Sequence, residues 1–164
     1  MSNEIVLLGL GNVLCADEGF GVRCIEALDA RFVFPEQVRL VDGGTRGIAL
    51  LAEMEGAERV LLFDAVDFGL PPGELALIGE GEIPRFISAG KLSLHQTSFQ
   101  DVLAYAQITG TMPPDLRLIG IQPVVLDDYG GDLSPEVRAK LPDAMELART
   151  ILAAWGVRPK RRPA

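Results

Sequence analysis

The chain has 164 residues, 48% of them apolar, enough to bury a real core within one domain. A formal net charge of −8 excludes a nucleic-acid binder, because phosphate backbones demand clustered Lys and Arg. No run approaches the roughly 18 apolar residues of a membrane span, and Cys15 and Cys24 are too few and too close for a secreted disulfide framework, so a soluble protein of a reducing, cytoplasmic compartment is expected.

"EIVLLGLG" (4–11) reads as a strand buried on both faces, the mark of a parallel sheet covered by helices. It has no basic leader and is too short and glycine-rich for a signal peptide. Asp17 is placed to cap a helix running to about Phe32, whose Phe20, Cys24, Ile25, Leu28 and Phe32 have helical spacing. "QVRLVDGG" (37–44) is a second strand, and "TRGIALLAEMEG" (45–56) a helix with Thr45 as its cap. "ERVLLFDAV" (58–66) is a third strand. "LPPGELALIG" (70–79) is a turn and a strand, tied to its predecessor too tightly for a crossover helix and so antiparallel at an edge.

"LHQTSFQDVLAYAQITG" (94–110) is a helix and "LRLIGIQPVV" (116–125) a strand stopped by Pro123. The long loop "LDDYGGDLSP" leads to a last helix from Pro135 to Trp155. The basic run Arg158, Lys160, Arg161 and Arg162 is read as a frayed, disordered tail (158–164) after a single α/β domain (1–157). The alternation specifies a three-layer α/β/α sandwich around a mostly parallel sheet.

In open α/β sheets, ligands bind beyond the carboxyl ends of strands, where strand order reverses. If the order begins 2-1-3, Glu18 just past strand one and Asp64 near the end of strand three come to one rim. His95, the single histidine, starts a helix on the same rim. Two carboxylates and an imidazole form a mixed O/N set suited to zinc or nickel, with positions left open. A dication relieves the repulsion of two close acids.

Blander readings exist for each residue. Asp17 and Glu18 are also ordinary first-turn acids favoured by a helix dipole, and a lone His near a helix start often caps or faces solvent. Asp64 inside "VLLFDAV" is harder to dismiss, since a buried acid without a partner costs free energy.

Other chemistries lack their residues. There is no G-x-S-x-G elbow, no H-E-x-x-H helix and no Walker pattern. "GLGNVLCADEG" (9–19) opens like a dinucleotide loop, and Asp42 stands where such folds place a ribose-binding acid. Leu14, however, occupies the third glycine's position, and Glu18 would meet a pyrophosphate with like charge.

"GLGNVLCADEGFGV" (9–22), "DGGT" (42–45), "FDAV" (63–66), "LSLHQ" (92–96) and "GIQP" (120–123) together resemble the nickel-iron hydrogenase maturation endopeptidases over nearly the whole chain. The resemblance implies a five-stranded mixed sheet in a phosphorylase/hydrolase-like sandwich. It also implies an enzyme that clips the C-terminal extension from the nickel-loaded precursor of the [NiFe] hydrogenase large subunit. By position, Glu18, Asp64 and His95 would contact the metal, and Asp42 would support substrate discrimination. Nickel would arrive with the substrate, zinc or cadmium would occupy the site in vitro, and the enzyme would act as a monomer. The competing functions are a noncatalytic metal-dependent binding module or chaperone for the same subunit, and a nucleotide-binding domain.

Overall fold

The computed structural model describes residues 3–44, 49–79, 82–83, 96–125 and 128–163, without the side chains of 96–100. Its elements are β1 (Ile5–Leu10), a 3-10 turn (Ala16–Gly19), α1 (Phe20–Arg31), β2 (Phe32–Val33), β3 (Val38–Gly44), α2 (Leu50–Met54) and β4 (Arg59–Ala65). They continue with β5 (Leu75–Ile78), α3 (Gln96–Thr109), β6 (Asp115–Ile121), α4 (Pro135–Arg138), α5 (Leu141–Ala154) and β7 (Lys160–Arg161).

Five strands form one sheet in the order β3-β1-β4-β6-β5, parallel except for β5. The expected 2-1-3 beginning is therefore present, and Leu7 of β1 pairs with Leu40 on one side and Leu61 on the other. Every residue of β1 is buried, as a strand covered on both faces requires. One face packs Leu7, Leu61 and Phe63 against α1 and α5 through Phe20, Leu28, Met145 and Leu152. The other packs Leu8, Val60 and Leu62 against α2 and α3 through Leu50, Met54, Val102 and Leu103. Phe20 and Phe63 are both fully enclosed, and burial of each stabilises the fold by about 2–3 kcal/mol.

The edge strand is antiparallel as expected, yet it pairs with β6 and not with its predecessor β4. The flank of β4 is already taken by parallel β6, which leaves β5 only the outer position. The last helix is divided. Pro142 would drive its ring into the carbonyl of Arg138 in a continuous helix, so α4 ends at Arg138 and Pro142 falls in the first turn of α5. The strand expected to reach residue 125 stops at Ile121. Thr45, the cap expected for α2, lies outside the described residues.

The basic run also departs from the frayed end expected of it. Lys160 and Arg161 pair antiparallel with Val33 and Phe32. The Arg162 N–H and Nε donate to the carbonyls of Arg31 and Asp29, at 2.8 and 2.7 Å, in the last turn of α1. Cations are favoured at that end of a helix. The guanidinium of Arg161 stands 5.6 Å from the Phe32 ring and that of Arg149 at 5.0 Å. Among the described residues, no helix is long and apolar enough to cross a membrane.

Candidate active site

The chain leaves β1 through a tight loop. Gly11 has φ 119°, which a side chain would resist. Asn12 then accepts the Leu14 N–H at 2.9 Å on its side-chain oxygen, a local turn that needs a short polar residue. Ala16 is left-handed at φ 48°, the one such non-glycine among the described residues. A strained residue of this kind costs roughly 1–3 kcal/mol and persists only where its surroundings hold it. Here its N–H donates to Gly131 O at 3.2 Å.

The 3-10 turn that follows carries two buried acids, Asp17 at 0% exposure and Glu18 at 7%. Asp17 does not cap α1, contrary to the sequence expectation; no side chain caps the N-terminus of α1. Its Oδ2 accepts the Val124 and Val125 N–H groups, both at 2.8 Å, and the Ser134 hydroxyl at 3.0 Å. Its Oδ1 accepts the Ser134 N–H at 2.8 Å. Half-buried Cys15 gives its thiol hydrogen to Glu18. Loss of solvent, then the charge of Glu18 and this bond, push the thiol above its ordinary range.

Glycines set how closely this turn approaches the sheet. A methyl group on Gly21 would stand 2.2 Å from Phe63 O and 2.3 Å from Leu10 O, so the start of α1 rests directly on the ends of β1 and β4. Asp64 is the next residue of β4, 2% exposed, and its Oδ1 accepts the Ala65 N–H at 2.8 Å. Glu18 lies about one helical turn before Gly21. The 3-10 turn also touches β4, so both acids lie at the carboxyl ends of β1 and β4.

Asp42 is exposed at the same rim, paired with Gly9, whose other partner is Phe63. One strand thus separates Asp42 from β4.

The start of α3 reaches this rim too. The short link 110–114 fixes Thr109 near Asp115, and the Asp115 N–H donates to Glu58 O at the amino ends of the strands. Fourteen helical residues span about 21 Å, close to the length of seven strand residues, so Gln96 stands at the carboxyl end of the sheet. His95, the residue before it, lies outside the described residues. The structure therefore brings Glu18, Asp64 and, one strand away, Asp42 to one rim. Among the described residues, no three His, Cys, Asp or Glu side chains gather as a metal-holding group.

The segments that carry the two acids, 5–22 and 60–75, contain no Lys or Arg. Buried carboxylate oxygens without basic neighbours in their own segments suit a divalent cation. Two surface grooves of about 320 and 510 Å³ lie instead at the opposite end, lined by Leu51, Met54 and Tyr105 and by Ala57, Met112 and Pro114. Their lining also includes Glu55, Glu58, Thr109 and Thr111, without Glu18 or Asp64.

Two residues have organising roles that the sequence reading does not assign to them. One is Asp17. The other is Gln122, whose Oε1 accepts the Phe68 and Leu70 N–H groups at 2.7 and 3.2 Å while its Nε2 donates to Asp67 at 3.2 Å. It ties down the connection that follows Asp64.

A sequence model of the HycI family, hydrogenase maturation protease, matches residues 22–151. The chain belongs to the hydrogenase maturation protease family. It is 53% identical over 156 residues to the hydrogenase expression/formation protein HupM of Azotobacter chroococcum mcd 1, covering 95% of this chain and 75% of that protein. It is 37% identical to the hydrogenase 2 maturation protease of Escherichia coli K12, covering 94% and 93%. The solved hydrogenase maturating endopeptidase HybD of E. coli superimposes with a TM-score of 0.90 at 36% identity, over 97% of this chain and 98% of that one. The five-stranded mixed sheet with helices on both faces is thus the fold of these proteases.

Proposed function

We propose that this protease removes the C-terminal extension from the precursor of the [NiFe] hydrogenase large subunit once nickel has been inserted, with Glu18, Asp64 and His95 contacting the metal. The observation that carries the reading is the pair of buried acids, Glu18 and Asp64, at the carboxyl rim of adjacent strands in a fold shared with hydrogenase maturation proteases.

Nickel is part of the substrate. Three side-chain ligands with open positions would complete the coordination of an ion already held by the precursor, so that cutting depends on loading. Held by these side chains, the ion would supply Lewis-acid polarisation of the scissile carbonyl or of the attacking water. One carboxylate of the rim takes the proton of that water, and Asp42 discriminates among substrates. Zinc or cadmium would occupy the same ligands in vitro. Two free thiols support a cytoplasmic, reducing location, and we assign a monomer.

The test is to incubate the protein with nickel-loaded precursor and weigh the product by mass spectrometry. Wild type should give a shortened large subunit, and Glu18→Gln, Asp64→Asn and His95→Ala should each abolish the shortening. An intact precursor in a stable complex would replace the enzyme by a binding module. Undiminished cutting by all three variants would remove the assigned residues.

A further inference from the structure

Asp17 is a fully buried acid that the proposed chemistry does not use. It meets four donors: three backbone N–H groups at 2.8 Å and one hydroxyl at 3.0 Å. They come from both ends of a long loop, Val124 and Val125 at its start and Ser134 at its end. A carboxylate is acceptor-only, and this surrounding is almost donor-only. No neutral isostere matches it, because an asparagine must turn its NH₂ toward at least one of those N–H groups.

The main chain repeats the grip. The Asp17 N–H donates to Val125 O at 3.0 Å, the Gly130 N–H donates to Leu14 O at 2.6 Å, and Cys15 forms an antiparallel bridge with Tyr129. Residues 14–17 therefore run between the two arms of the loop, and Glu18 follows at once. Four of the eight large apolar side chains exposed by the described residues lie on these strips. They are Leu14 at 51%, Val124 at 40%, Val125 at 36% and Tyr129 at 77%. Solvent-facing apolar groups gathered beside a buried acid site mark a contact surface.

We infer that Asp17 is a positioning residue for the reaction: it locks both ends of this loop around the turn bearing Glu18, and so presets an apolar wall against which the polypeptide being cut lies. The inference rests on the proteolytic reading above. The occupant follows from continuity, since a chain reaching the Glu18–Asp64 rim passes the wall that begins at Leu14, four residues before Glu18. Asp17 touches neither substrate nor metal. It acts through the wall, so its loss weakens precursor binding more than it slows the chemical step.

The experiment measures cleavage of nickel-loaded precursor by wild type, Asp17→Asn, Tyr129→Ala and the double variant, with a thermal melt of each. Asp17→Asn should raise KM about tenfold, with kcat falling less than threefold. Tyr129→Ala should raise KM severalfold alone and add little on top of Asp17→Asn, the signature of two residues acting as one unit. If Asp17→Asn does not fold, Ser134→Ala, which removes one of the four donors, should raise KM two- to fivefold in a folded protein. Unchanged KM in the folded variants, or fully additive effects, would overturn the positioning role while the enzyme stands. Wild type that leaves the precursor intact would overturn the proteolytic reading, and this inference with it.

Discussion

Gly21 lies so close to Phe63 that an added methyl group would stand 2.2 Å from the Phe63 carbonyl oxygen, well inside van der Waals contact. The contact is to backbone on both β4 and β1, so no side-chain rotation relieves it. Gly21→Ala should therefore lift the start of α1 off the sheet and destabilise the protein by about 3 kcal/mol or more, read as the midpoint of urea unfolding. Because that helix start also seats the turn bearing Glu18, precursor cutting by the folded remainder should fall as well. A variant of wild-type stability would show that the helix rests elsewhere.

The two cysteines differ in reach. Cys24 is fully buried in α1, and burial pushes its thiol well above the ordinary range. Cys15 is half-exposed in the loop before Glu18. A maleimide should label the native protein once, at Cys15, and twice only in denaturant. Peptide mass mapping locates the adduct; native labelling of Cys24 would contradict the packing of α1.

Gln122 accepts the Phe68 and Leu70 N–H groups on its side-chain oxygen. Gln122→Leu keeps the bulk and removes the acceptor. Losing this acceptor should cost about 1–3 kcal/mol. Hydrogen exchange at Phe68 and Leu70 should accelerate, while exchange in β3, on the far side of the sheet, stays slow.

Removing residues 160–164 deletes the β7 ladder and the Arg162 donors to the end of α1. The lost contacts are solvent-exposed, so the expected destabilisation is modest, about 1 kcal/mol. Precursor cleavage should be unaffected, since α1 meets the site at its other end. A large loss of activity would point to a role for the basic run that its packing does not explain.

Much of the architecture was legible before any coordinates. Apolar runs identify β1 and β4 because a parallel sheet buries both faces of its inner strands, and pattern is enough where burial is that complete. The antiparallel edge follows from connection length, and the 2-1-3 order, which enters the sequence reading as a condition, is the one the sheet has. That order puts Glu18, in the turn that follows β1, and Asp64, at the end of the apolar run of β4, at one end of the sheet.

Tertiary structure decided what depends on partners distant in sequence. Which neighbour β5 takes depends on the flank of β4 being filled by β6. Lys160, Arg161 and Arg162 read as a solvated tail by composition, yet together they find a strand, an aromatic ring and a helix end on α1 and β2. Asp17 read as a helix cap, because a cap is local, whereas its real partners lie 107 to 117 residues away. Local pattern fixes where the chain is strand or helix, since burial and backbone geometry repeat at short range. Only folding determines which backbone N–H groups surround a given carboxylate.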